Sequence, residues 1–435
     1  MNTGTSARIC VIGAGPSGLT AAKNLLQQGL TNFVVYEKND QVGGNWVFSP
    51  RLSHSSVYET THIISSKKMS QFDDFPMPDD YPDYPSHKQV LAYFHEYARH
   101  FGVMPYIRFN TEVRRAEKQP DETWRITLGD GSVEQFDYLI VANGHHNVPK
   151  YPRYPGEYTG ELLHSHEYKT SAPFRDRRVL VIGGGNSACD IAVETSRVSA
   201  FTAISMRRGY YISPKFMFGK PTDVMAAQFN WLPRPIYRTL VAVALRLNVG
   251  DYADYGLLRP DHGILQSHVT ANSELLYYIR HGKVHVRRDI ERFDGLNVHF
   301  IDGKVEPYDA VIAATGFHIS FPFFDTDFLD FSGGKPVPLY LHVFHADHPT
   351  LFFVGLVQPL GAIWPLADLH AQLAARAIAG SYTPPSNIRE LIAQEIAYRE
   401  RNFIKAERHT IEVEYHVHRR RLERELRQAR QARSA

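Results

Sequence analysis

Two glycine-rich segments combine residue types and spacing suited to holding a phosphate-bearing ligand. Gly13-Ala14-Gly15-Pro16-Ser17-Gly18 ends the apolar run that starts at Arg8 and opens a helical pattern from Ser17 to Gln28. In a strand, turn and helix of this kind, the first glycine permits the turn and the second admits a pyrophosphate to the backbone. The third lets helix and strand pack closely, while the helix N-terminus presents unpaired N–H groups. Glu37 lies twenty-four residues beyond Gly13, at the end of the apolar run Phe33 to Tyr36. It is placed to accept ribose hydroxyls, with Lys38 beside it in the same expected site. Gly183-Gly184-Gly185-Asn186-Ser187-Ala188 repeats the pattern after Arg178 to Gly183, with Ala188 at the last small position. There the following strand ends in Ser205-Met206-Arg207-Arg208 rather than in an acid. Guanidinium groups pair with a 2′-phosphate where a carboxylate repels it, so NADPH is expected in preference to NADH.

The elements that must position these loops are two β-α-β units in one chain of 435 residues, enough for two or three domains. The expected fold is α/β, with two Rossmann-like dinucleotide-binding domains and the NADPH domain inserted into the FAD domain. The expected boundaries are 1–159 and 309–383 for the FAD domain, 160–308 for the NADPH domain, and 384–435 for a C-terminal extension with a basic helix. Thr111 to Phe136 alternates around Gly129-Asp130-Gly131, which predicts a hairpin. Tyr138 to Ala142 and Ala310 to Ala314 read as buried strands, each closing one unit. Residues 209–265 hold Pro214, Pro221, Pro233, Pro235 and Pro260 and read as an irregular, surface-built insertion. Ile411, Val413, Tyr415 and Val417 alternate as in a strand, followed by a charged helix from Arg419 to Gln431.

Composition excludes several classes. With 43% apolar and 22% charged residues the chain is an ordinary globular one. The net charge is +2, yet residues 419–435 alone carry seven Arg and two Glu, so the remainder is slightly acidic and no polyanion binder. No nucleic-acid partner is expected. Cys10 and Cys189 sit far apart in apolar segments, as suits buried thiols in a reducing, cytoplasmic setting. No cysteine or histidine spacing fits a metal. No secretory leader is legible, and the run Leu240 to Leu247, interrupted by Arg246, is too short to span a bilayer.

Between the two units, Tyr158-Thr-Gly160-Glu-Leu-Leu-His164-Ser-His-Glu-Tyr168 resembles the FxGxxxHxxxY fingerprint of class B flavoprotein monooxygenases, with Tyr158 for Phe. Specifically, it resembles that of the flavin-containing monooxygenases and their soluble bacterial-type members. Gly43-Gly44-Asn45-Trp46 is similar to that family's GGxW loop, placing Gly44, Asn45 and Trp46 near the flavin. Lys67-Lys68-Met69 through Phe75-Pro76 and Asp79-Asp80-Tyr81-Pro82 resembles its KEMS, DFP and DYP stretch. Ala314-Thr315-Gly316-Phe317 looks like its ATGY motif, and Gln358-Pro-Leu-Gly361 with Asp368, His370 and Gln372 like its closing helix. The resemblance covers roughly residues 8–422, stopping before the hydrophobic tail of the microsomal members. His164 and Tyr168 either pack the linker or touch the reaction, and His145-His146 either caps a strand or approaches the flavin edge.

The resemblance implies an FAD- and NADPH-dependent oxidoreductase of the N,N-dimethylaniline monooxygenase type. Its substrates would be O₂ and a small molecule, oxidised at amine nitrogen, sulfide sulfur or a ketone through a C4a-(hydro)peroxyflavin. Homo-oligomers are common in such a family. One position departs from it: the family Asn three residues before the Lys of the KEMS-like stretch is Ile64 here. Ile64 donates no hydrogen bond, so Ser65 or Ser66 is the expected substitute, with Trp46 as the flavin-proximal aromatic. Without a substitute donor, the chemistry becomes that of an NADPH oxidase or flavin reductase releasing hydrogen peroxide. A non-catalytic NADPH-binding protein is the remaining alternative.

Overall fold

The computed structural model describes residues 6–49, 55–331, 333–404 and 410–434. It is an α/β chain in two compact units: Met1–Val47, Lys67–Val148 and His318–Ala435 form one, Phe48–Ser66 and Pro149–Phe317 the other.

The first unit is built on a seven-stranded sheet. Within it the strand Ile9–Ile12 runs parallel to Phe33–Tyr36 on one side and, on the other, to Tyr138–Val141, the central strand of the seven. Leu351–Phe353 continues the parallel order beside Tyr138–Val141. These strands are buried along their whole length, which is why they read as continuous apolar runs rather than alternating ones. The helix Pro16–Gln27, with proline in its first turn, buries Leu19 to Leu25 and packs against the helix Trp364–Ile378. Between them Lys23 Nζ lies 2.7 Å from both Asp74 and Asp368. The expected hairpin is a three-stranded antiparallel sheet, Val113–Lys118, Trp124–Leu128 and Val133–Phe136, anchored by Trp124 Nε1 donating to Thr350 Oγ1 at 3.0 Å.

The second unit is a five-stranded sheet, parallel throughout, in the order Val284–Arg287, Phe201–Ser205, Arg178–Ile182, Ala310–Ala313, Glu161–His164. The strand Ala310–Ala313 therefore belongs here, not to a domain resuming at 309, and the crossing point lies at 317/318. Residues 48–66 and 149–159, expected with the first domain, also belong to the second unit. A short buried apolar run states that a strand exists but not which sheet it joins, and the partner is decided by tertiary pairing.

Two further expectations are corrected. The insertion 209–265 holds the helices Thr222–Ala227 and Arg234–Val249. Pro233 caps the second of these and Pro235 lies in its first turn, where a missing N–H costs nothing. The expected strand at 411–417 shrinks to Glu412–Val413, and a helix runs from Tyr415 to Ser434. Its buried face is Tyr415, His418, Leu422, Leu426 and Ala429, a helical period that the local alternation of apolar residues hides. Within the C-terminal stretch expected as a separate extension, this helix packs on the Trp364–Ile378 helix of the first unit.

Candidate functional site

In the first unit the glycine loop sits at the C-terminal end of the strand Ile9–Ile12. Gly13 has φ +100°, and a Cβ there would lie 2.7 Å from the Ala142 carbonyl oxygen, so only glycine fits. Its N–H donates to Tyr36 O at 2.8 Å. A Cβ on Gly18 would overlap the Gly13 carbonyl oxygen. Gly15 caps the Pro16–Gln27 helix, with Pro16 at its first position, and Ser17 Oγ occupies the space that a Cβ on Gly355 would need.

The turn Gly44–Trp46 closes on this loop. Gly43 N–H donates to Ala14 O at 3.0 Å, and a Cβ on Gly44 would lie 3.0 Å from Gly15 Cα. Two bare backbones thus face each other beside a helix N-terminus, a cradle that fits a pyrophosphate. The Trp46 ring meets Trp364 edge-on at 5.5 Å, and Trp364 meets Phe94 at 4.9 Å, so Trp46 extends an aromatic row from Phe94. Asn45 lies within the turn.

Glu37 is only 4% exposed. Its Oε2 accepts the Ala14 N–H at 2.7 Å, and its Oε1 accepts the Asn39 N–H at 3.0 Å and the Asn39 side-chain amide. The carboxylate thus braces the glycine loop itself, a role beyond the ribose contact expected from spacing. Lys38 is exposed. Gln358 lies in a two-residue strand beside Glu412–Val413. His145 is buried, its ring 4.4 Å from that of His146, and burial drives it well below the ordinary imidazole range.

The second unit repeats the arrangement. Gly183 has φ +132°, and a Cβ there would overlap the Ala314 carbonyl oxygen. Gly184 lies under the Tyr210 ring, and Gly185, which caps the Asn186–Thr195 helix, faces open space. Asn186 Oδ1 accepts the Ala271 N–H at 2.8 Å. Ser187 is exposed and Ala188 buried. Arg207 is exposed just past the strand Phe201–Ser205, and the Arg208 guanidinium lies 5.7 Å from the Tyr210 ring centre. On the neighbouring strand Arg287 is engaged by Glu306 through two contacts of 2.7 Å. Thr315 Oγ1 donates to Lys150 O, and Gly316 O accepts the Lys150 N–H at 3.0 Å, so both belong to this unit.

The expected catalytic residues divide between the units: Trp46 lies in the first, Ser65 and Ser66 in the second. Ser66 N–H donates to Asp223 Oδ2 at 2.6 Å, while its hydroxyl is buried without a partner. Ile64 is 45% exposed. The linker fingerprint packs this same unit. Tyr158 Oη donates to Tyr308 O at 2.8 Å. His164 is buried beside Phe317 and pushed down to about 4 by that burial. Tyr168 packs between Tyr58 and Phe174.

Sequence reasoning missed Asp190, one turn into the second nucleotide-type helix, where its carboxylate joins Tyr58 and Asn272. The signal was present as the one acid in the otherwise apolar run from Ala188 to Val193. Cys10 and Cys189 are buried free thiols, and burial raises both well above the usual range, which leaves them unreactive. Among the described residues, no helix is long and apolar enough to cross a membrane, and no cluster of His, Cys, Asp and Glu could hold a metal.

Comparison with known proteins agrees with this geometry. Flavin-containing monooxygenase 5 of Rattus norvegicus is 36% identical over 432 residues, spanning 94% of this chain and 80% of that protein. Dimethylaniline monooxygenase [N-oxide-forming] 2 of Oryctolagus cuniculus is 33% identical over 420 residues, 91% of this chain and 77% of that one. Among solved structures, OTEMO in complex with FAD and NADP superposes with a TM-score of 0.75 at 18% identity, covering 98% of each chain. The flavin-binding monooxygenase-like family matches residues 6–427, nearly the whole sequence. The two nucleotide-type units and the linker fingerprint are thus those of a flavin-dependent oxidoreductase, and the chain belongs to the flavin-binding monooxygenase-like family.

Proposed function

We propose that this protein is an NADPH- and FAD-dependent monooxygenase that transfers one oxygen atom of O₂ to a small soft nucleophile, an amine nitrogen or sulfide sulfur. The observation that carries this is the paired glycine loops, each at the C-terminal end of a strand with parallel neighbours, with an acid after one and exposed Arg207 after the other. In the first, Gly13, Gly15, Gly18 and Gly44 admit the FAD pyrophosphate and Glu37 fixes the loop that holds it. In the second, Gly183, Gly185 and the Asn186–Thr195 helix N-terminus admit the NADPH pyrophosphate, and Arg207 and Arg208 take the 2′-phosphate.

When bound, the flavin supplies the redox chemistry: two electrons from reduced nicotinamide reach O₂, one oxygen atom goes to the substrate and the other leaves as water. The side chains named here bind, orient and exclude water, and the proposal requires no general base among them. The relative that forms N-oxides from dimethylaniline favours nitrogen as the acceptor over a ketone carbonyl. Two separate buried thiols suit a reducing cytoplasm.

A second reading, an NADPH oxidase releasing peroxide, is favoured by one observation. Ile64 stands where the resemblance implies an Asn, and its side chain carries no donor. Rapid mixing of NADPH-reduced protein with O₂, assaying peroxide with and without trimethylamine or a sulfide, separates the two. Oxygenated product matching NADPH consumed establishes the monooxygenase, whereas stoichiometric peroxide with any acceptor establishes the oxidase.

A further inference from the structure

The segment 55–66, which carries Ile64, Ser65 and Ser66, is joined to the second glycine loop through the carboxylate of Asp190. On the loop side, Thr270 Oγ1 donates to Gly184 O at 2.8 Å and Ala271 N–H donates to Asn186 Oδ1 at 2.8 Å. The next residue, Asn272, donates its Nδ2 to Asp190 Oδ1 at 2.6 Å. The Asn272 amide has one orientation, because its Oδ1 already accepts the Glu274 and Leu275 N–H groups at 2.9 and 2.6 Å. Asp190 must therefore accept from it, and its second oxygen accepts the Tyr58 hydroxyl at 3.1 Å.

Beyond Tyr58 the segment is held at intervals. Lys169 Nζ donates to Ser55 O at 2.7 Å and to Val57 O at 3.3 Å. Thr60 Oγ1 donates to Glu194 Oε2 at 2.9 Å, on the same helix as Asp190. Ser66 N–H ends the segment on Asp223. Tyr58 thus makes a direct hydrogen bond from this segment to the residue bound by the loop-side strand, and Lys215, whose charge faces Asp190, donates to Ile63 O at 3.4 Å. Asp190 lies four residues after Asn186, so ordering the first turn of the helix orders the carboxylate.

We propose that Asp190 and Tyr58 are positioning residues that transmit occupancy of the second glycine loop to the segment bearing Ile64, Ser65 and Ser66, so that NADP⁺ binding orders 55–66. The inference rests on the reading of the second loop as the nicotinamide-dinucleotide site. A ligand that stiffens one end of a hydrogen-bonded chain lowers the entropic cost of ordering the other end. The segment departing from the family at Ile64 is then set by the dinucleotide as well as by its own sequence.

Hydrogen exchange of the flavin-loaded protein, with and without saturating NADP⁺, tests this without reference to turnover. The unaltered protein should show exchange in 55–66 slowed on the order of tenfold by NADP⁺, the scale of one buried hydrogen bond. Tyr58→Phe should keep NADP⁺ affinity within about threefold, since the Asn272 contact survives, yet lose that protection. Asp190→Asn should retain it, because an amide at 190 can accept from Asn272 and donate to the Tyr58 oxygen. NADP⁺ binding with unchanged exchange in 55–66, or protection persisting in Tyr58→Phe, overturns the coupling and leaves the proposed function standing. Failure of the unaltered protein to bind NADP⁺ overturns both. The first comparison needs no variant, so misfolding of Tyr58→Phe cannot shield the proposal.

Discussion

At the scale of single residues, steric and charge arguments give the sharpest tests. Gly13→Val adds a branched side chain at a positive φ where even a Cβ lies 2.7 Å from the Ala142 carbonyl oxygen. The purified variant should carry no flavin absorbance, and a still-yellow protein would remove this loop from the flavin site. Arg207→Ala should raise the NADPH KM by one to two orders of magnitude, since a charge-assisted hydrogen bond contributes ~1.5–3 kcal/mol, and leave NADH use nearly unchanged. Equal losses with both dinucleotides would refute the 2′-phosphate assignment. Ile64→Asn adds the donor that the family resemblance implies at this position, and one such donor acting in a transition state is worth about 2.7–4 kcal/mol. The peroxide formed per NADPH should fall in this variant, as measured by a peroxidase-coupled assay. The glycine turns were legible in sequence because a positive φ and a close backbone approach are set by local geometry. Asp190 and Tyr58 were not, because nothing local links residues more than a hundred positions apart.

At the scale of elements, the helices Pro16–Gln27 and Trp364–Ile378 are joined by charge as well as by apolar packing. Lys23 is 1% exposed and bridges Asp74 and Asp368, while Asn24 Nδ2 donates to Asp368 Oδ1 at 2.8 Å. Removing one member of a buried ion pair leaves its partners uncompensated and costs about 3–5 kcal/mol. Lys23→Ala should therefore lower the denaturant midpoint markedly, and a change below about 1 kcal/mol would show that water screens the cluster. Strand and helix identities in both nucleotide-type units were readable from apolar runs and the glycines that follow them. The helix beginning at Tyr415 was misread because Tyr415 and Val417 alternate with polar neighbours, whereas its buried face includes His418, a residue no hydropathy pattern counts.

At the scale of the whole molecule, three buried histidines make stability depend on pH. His370 and His418 share an Nε2–Nε2 contact of 3.0 Å, and the Gly355 N–H donates to His370 Nδ1 at 3.4 Å. His370 therefore holds its proton on Nε2 and donates it to His418. The His342 ring lies 5.5 Å from that of His418. Burial pushes His370 down to about 3 and holds His342 and His418 well below the usual range, with Arg421 adding to the effect on the latter two. The unfolded chain takes up these protons near pH 6.5 and the folded chain refuses them. For His370 the stabilisation is complete above about pH 6.5 and is lost as pH falls toward about 3, at about 2 kcal/mol by pH 5, and His342 and His418 shift stability in the same direction. Tm should drop between pH 7 and pH 5 by about 2–4 °C for each kcal/mol lost, read by calorimetry. A flat profile would mean that the histidines already charge in the folded state.

The sequence by itself determined the two nucleotide-type units, their glycine loops, the acid after one and the arginines after the other, and the family fingerprint between them. All of these are set by contacts within some thirty residues, where spacing and backbone geometry leave few alternatives. Only the tertiary structure decided that Ala310–Ala313 joins the second sheet, that residues 55–66 are pinned to the second nucleotide-type helix, and that Glu37 braces its own glycine loop. Apolar runs and polar side chains do not encode their partners in local sequence. Those partners are selected by which pairing satisfies the most buried hydrogen bonds and apolar surface at once.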